Sequence, residues 1–220
     1  MSNSIIQLLV LAGIAIFLII KLRSVLGTRD GFEARPEPKP LPSDTRGGRN
    51  FEVIEGGPDR DITDQVAEGS DAAKALAAMK LVEPSFSVSG FLQGARGAYE
   101  MILTAFAKGD MDSIRAFLSP EVAESFEAVV ADRKAKGLIV TTNFVGLREL
   151  ALHDAEFDRA SGDAEVTVRF LAELISVTRD QAGEIVEGDP KASRKQKDVW
   201  TFARKMGAND PNWQLVATGA

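Results

Sequence analysis

No cysteine occurs in this 220-residue sequence, and there is a single histidine, His153. Without thiols there are no disulfides, no thiolate metal sites and no cysteine nucleophile. One histidine cannot form a His-metal cluster or a catalytic histidine pair, and His153, between strand residues beside Asp154 and Glu156, reads as a solvated side chain. Tyrosine is equally scarce, with Tyr99 alone beside two tryptophans. Positive charge is in deficit: 26 Lys and Arg stand against 32 Asp and Glu, a formal net charge of −6. Phosphodiester binding needs a concentrated cationic surface, so nucleic acid is not an expected partner. No segment repeats at a fixed period, and GARG and GGPD lack the strand–turn–helix setting of a phosphate loop. No catalytic constellation emerges, and no metal or other cofactor is expected.

What is present begins with an apolar run. Ile5 to Ile20 is interrupted only by Gln7, and Lys21 and Arg23 follow. A helix over this run spans roughly 24 Å, and extension to Leu26 with snorkelling basic residues reaches about 33 Å, enough for a hydrocarbon core. Residues 1–26 are therefore expected to be a transmembrane anchor, with Ile5, Leu8, Leu11, Ile16, Phe17 and Ile20 facing lipid and Lys21 and Arg23 at the interface. No basic residue precedes the run and no A-x-A site follows it, which separates it from a cleaved signal peptide. The basic residues after the span place the C-terminal bulk in the cytoplasm by the positive-inside rule.

Residues 27–84 read as a linker. RPEPKPLP, RGGR and EGGPDR are rich in Pro, Gly and mixed charge, too poor in apolar surface to offset the entropy of ordering. The reach of such a tether is about 35 Å. One short helix is expected near 71–82, where DAAKALAAMKLV carries a narrow stripe of Leu76, Met79 and Val82 and ends before Pro84. That stripe either packs on the domain or touches a membrane or partner.

The folded domain is expected over residues 85–220. Phe91, Ala95, Ala98, Ile102 and Phe106 share one helical face ended by Gly109. Ser119-Pro120-Glu121 restarts a helix as N-cap, N1 proline and first-turn acid, with Val122, Phe126, Val129 and Val130 as its buried stripe. Strands follow. Leu147 to Phe157 alternates with mixed parity, and Ala164 to Thr178 places Val166, Val168, Phe170, Ala172 and Leu174 on one face. A turn at Asp180 to Gly183 leads to a short strand and the polar loop KASRKQK. A final hairpin, Lys197 to Thr218, carries both Trp200 and Trp213 around a Gly207–Pro211 turn. Helices first and antiparallel strands afterwards give an α+β class.

VWTFAR followed by DPNWQLVAT resembles the C-terminal signature of the Tim-forty-four-like domain family. The resemblance extends through FLQGARGAYEMILTAFAKGD, SPEVAESFEAVVADRKAKG and TRDQAGEIVEGDP, covering roughly residues 85–218. It implies a cone-like fold similar to nuclear transport factor two, with helices on the concave face of a curved sheet. It also implies a non-enzymatic adaptor or scaffold of the bacterial inner membrane, associated with membrane proteins, chaperones or protein transport. Protein partners are thus expected, as is contact with anionic lipid through Lys191, Arg194, Lys195 and Lys197. Tyr99, Phe126, Phe170, Trp200, Phe202 and Trp213 are core candidates, or the lining of a lipid-holding cone in an alternative reading. Some isomerases of this general fold use a Tyr and an Asp in the cone, which makes Tyr99 with Asp198 a third, enzymatic reading.

Overall fold

Two helices precede the expected start of the domain. The computed structural model describes residues 58–219. The anchor residues, from Ile5 to Arg23, and most of the linker lie outside them. Among the described residues, no helix is long and apolar enough to cross a membrane. Asp59 caps a one-turn helix α1 (Arg60–Thr63), accepting from the Asp61 backbone N–H. Ser70 caps α2 (Asp71–Val82), its hydroxyl accepting from Ala73 N at 3.1 Å. Ile62 is buried, and Leu76 and Met79 are fully buried. Residues 58–84 therefore belong to the folded domain rather than to a linker ending at 84. Of the two readings of the Leu76, Met79 and Val82 stripe, packing on the domain holds: Leu76 and Met79 face inward and only Val82 is half exposed.

The cause is a set of contacts distant in sequence. Asp61 accepts from Val88 N at 2.7 Å and Ser89 N at 2.9 Å, satisfying two orphan donors at the start of α3 (Val88–Lys108). Lys80 pairs with both Asp59 and Asp61 at 2.7 Å, tying α2 to α1. Burial acts to raise the Asp61 pKa, but Lys80 and the two backbone donors outweigh it and hold the carboxyl well below its ordinary range.

Helix α3 ends on Gly109 in the left-handed conformation, φ 73°. A short 3₁₀ turn (Arg115–Phe117) leads to Ser119, whose hydroxyl accepts from Val122 N and caps α4 (Pro120–Ala135). On α4 the buried arc is Val122, Ala123 and Val130, with Phe126 packed at its edge. Val129 falls just outside that arc and is 43% exposed, contrary to the expected stripe.

The sheet comprises β1 (Ile139–Phe157), β2 (Asp163–Arg179), β3 (Ile185–Gly188), β4 (Arg194–Lys205) and β5 (Gln214–Gly219), paired antiparallel in the order β1-β2-β4-β5. Strand β3 pairs with the end of β2, beyond the start of β4. Strand β1 starts eight residues before the first alternating residue of the sequence, Leu147. Three register shifts, at Phe144/Gly146, Leu147/Glu149 and Leu152/Asp154, explain its mixed parity. Each inserts a residue, so Phe144, Leu147, Leu150, Leu152 and Ala155 lie opposite Leu174, Ala172, Phe170, Val168 and Val166 on a single face. Bulges repeated along one strand bend it, and the sheet curls around α3. The inner face of β2 is buried from Ala164 to Leu174 at alternate positions, as the pattern implied.

Candidate functional site

Aromatic side chains fill the inside of the curl. Tyr99, on α3, has no exposure; it stacks on Phe170 at 4.3 Å and 9°, with Trp200 tilted against it at 4.6 Å. Its hydroxyl donates to Asp198, which also accepts from Gln196 Nε2 at 2.9 Å. Burial first, and then the adjacent carboxylate, push the phenol pKa far above its ordinary value, so Tyr99 stays neutral. The pair is thus an internal polar contact, and it lines none of the cavities described below. An acid–base couple needs room for substrate beside it, and here the space is occupied by Phe170 and Trp200. Phe126 lies against Phe106 at 4.5 Å near the C-terminal end of α3. His153 is exposed on β1.

Open space lies at one end of the curl, between the N-terminal half of α3 and the β4–β5 hairpin. A half-open groove of about 430 Å³ is floored by Phe91 and Phe202 and walled by Phe86 and Trp213. Trp213 packs edge-on to Phe91 at 4.7 Å and tilts against Phe86 at 6.0 Å. The opposite wall is α3 itself, presenting Gly90, Gly94 and Ala98. Among the described residues, a methyl group built on Gly94 or Gly97 would meet nothing within 4 Å, so packing of these residues does not require glycine there. Each costs roughly 1 kcal/mol of helix propensity relative to alanine.

One end of the groove is polar. Arg204 is 7% exposed; its Nη2 donates to Glu83 at 2.8 Å and its Nη1 to the Pro211 carbonyl at 3.2 Å. The guanidinium lies 5.3 Å from the Trp213 ring centre, and its Nε is buried without a partner among the described residues. Arg204, with help from the Gly207 N–H, holds the Glu83 carboxyl below its usual range. This end was legible in principle. Arg204 shares the strand parity of Trp200 and Phe202, and an arginine in a core stripe implies a buried counter-charge.

Of the six aromatic candidates, Phe202 and Trp213 reach the groove, while Tyr99, Phe170 and Trp200 form the packed interior. The four basic candidates do not share one loop. Lys191 lies in the turn, but Arg194, Lys195 and Lys197 begin β4. Arg194 shares its face with Gln196 and Asp198, whereas Lys195 and Lys197 alternate to the outer face beside Glu173 and Leu171.

The Tim44-like domain family model matches residues 72–220. A mitochondrial import inner membrane translocase subunit, TIM44-1 of Arabidopsis thaliana, is 23% identical over 163 residues, which are 71% of this chain and 34% of the relative. The corresponding TIM44 of Homo sapiens is 23% identical over 171 residues, 73% of this chain and 37% of the relative. The chain therefore matches about a third of the length of these curated relatives. The solved intermembrane space region of the chloroplast protein ARC6 aligns with 58% of this chain and 93% of its own, at a TM-score of 0.40 and 12% identity. With its family model covering all but the first part of the chain, this protein belongs to the Tim44-like domain family.

Proposed function

We propose that this protein is a membrane-tethered, non-enzymatic adaptor of the bacterial inner membrane, whose domain docks a protein partner through the groove along α3. The groove carries the reading: it is apolar, half open and walled in part by Gly94, where an added methyl group would meet nothing within 4 Å among the described residues. A bare helix face permits close approach by another backbone, and aromatic residues with an arginine beside them are the usual anchors of protein interfaces. The apolar run from Ile5 to Ile20 supports the tether, and the basic residues after it support a cytoplasmic domain. Relatives named as subunits of an import translocase support a place beside membrane protein machinery. Lys191, Lys195 and Lys197, all exposed, support a weak added attraction to anionic lipid.

Isolation of the full chain from native membranes, with its bound proteins identified by mass spectrometry, tests the adaptor role. Gly94→Trp, which fills the groove without touching the core, should remove the specific partners. Recovery of the same proteins with this variant contradicts the assignment. A hydrophobe carrier is the second reading. The groove volume lies within the roughly 300–1,000 Å³ of small-molecule sites, whereas the curl is filled by Tyr99, Phe170 and Trp200. Native mass spectrometry showing no lipid on the purified chain removes it.

A further inference from the structure

A second, smaller cavity opens at the other end of the curl, between the C-terminal turns of α3 and α4 and the inner face of the sheet. Its volume is about 200 Å³, and its polar groups are Arg133, Arg194, Gln196, Thr142 and Ser176. No acidic side chain among the described residues lines it, in a chain whose formal charge is −6. Among the described residues, neither arginine is paired with a carboxylate. We infer that this cavity is a phosphate-binding site, taking the terminal phosphate group of a ligand whose remainder stays outside.

The donors are placed before any ligand arrives. Arg133 lies over the Phe106 ring, 4.5 Å from its centre, and its Nη1 reaches the Phe106 carbonyl at 3.5 Å, which fixes the guanidinium while leaving other N–H groups free. Arg194 stands opposite Leu174 on the inner face. Thr142 and Ser176 share one hydrogen bond at 3.1 Å, so whichever hydroxyl accepts still has its own proton to donate. Gln196 uses one amide N–H on Asp198 and keeps the second.

The chemistry decides between anions. Two guanidinium groups match the two charges of a phosphate monoester, and donors arriving from three strands and a helix suit a tetrahedral group with three free oxygens. A carboxylate, planar and singly charged, leaves one arginine without a counter-charge. The volume decides how much of the ligand enters. It is smaller than the roughly 300–1,000 Å³ of sites that enclose a drug-sized molecule, so the cavity holds a terminal group.

Inorganic phosphate is the probe, titrated by calorimetry into the full chain in a non-ionic detergent, with chloride holding the ionic strength constant. Saturable one-to-one binding is expected. Arg133→Gln and Arg194→Gln should each weaken it about tenfold or more, the effect of losing a charged hydrogen-bond donor. Arg194 is exposed, so its variant remains folded even if loss of the Arg133 stacking disturbs α4. Lys191→Gln removes the same charge from the neighbouring turn and should change affinity less than twofold. Competition with phosphatidic acid vesicles assigns the source: displacement that Arg194→Gln abolishes identifies a lipid phosphate, and no displacement identifies a soluble one. Absence of saturable binding overturns the proposal. So does a loss with Lys191→Gln equal to that with Arg194→Gln, which would mean diffuse attraction to a basic surface.

Discussion

Arg204 Nη2 donates to Glu83 Oε2 at 2.8 Å, joining the segment between α2 and α3 to the final hairpin across 121 residues of sequence. With the arginine side chain 7% exposed, its removal leaves Glu83 without its counter-charge and the Pro211 carbonyl without a donor. Arg204→Ala should lower unfolding free energy by about 3 kcal/mol, the lower end for breaking a buried pair because Glu83 keeps some solvent contact. Arg204→Lys should recover only part of this, since an ammonium cannot reach both oxygens in the same plane. Urea denaturation followed by tryptophan fluorescence measures both.

Acid should weaken the same region. Asp61 and Glu83 both have carboxyl pKa values depressed in the folded state. A depressed folded pKa contributes stability that is complete above the unfolded value of about 4 and is lost as pH falls toward the folded value. The urea midpoint should therefore drop steadily as pH falls below about 4. Asp61→Asn should be less stable at neutral pH by about 1–2 kcal/mol and show a flatter acid dependence. An unchanged slope in this variant would mean that Asp61 is not responsible.

At alkaline pH the behaviour of Tyr99 is distinctive because it is the only tyrosine. Its pKa is raised by burial and by Asp198, so it contributes stability present below about 10, the unfolded value, and lost as pH rises through the folded value. Tyrosinate absorbance should appear together with unfolding, in one transition measured by ultraviolet absorbance and circular dichroism. Ionisation of Tyr99 in a still-folded domain would contradict its placement.

The domain boundary gives a fourth expectation. Leu76 and Met79 are fully buried on α2, and Leu76→Ala should cost about 3 kcal/mol. A chain starting at residue 58 should retain the folded domain, whereas one starting at residue 85 should lose cooperative thermal unfolding. Equal melting of the two would place α2 outside the folding unit.

Much of this fold was legible locally. Gly109, Ser119-Pro120 and the alternating apolar residues of β2 each declare their element within a few residues. The start of the domain was not, because the Asp59, Asp61 and Lys80 network reads as loop charge until its distant partners are known. Bulges hid half of β1, since alternation assumes a fixed register and Leu147, Leu150 and Leu152 belong to one face only after an insertion. The groove was missed because it exists only where α3 and the β4–β5 hairpin converge. Gly90, Gly94 and Gly97 on the polar side of a long helix were the available sign.

Photo-crosslinking from the groove most directly tests the claim that the domain docks a protein there. A photoreactive residue at Asn212, on the groove rim, should capture a defined protein when the full chain is irradiated in native membranes. The same residue at Lys195, on the outer face of β4, should not capture it. Adducts to lipid alone from Asn212, or the same protein captured equally from both positions, would contradict the adaptor assignment.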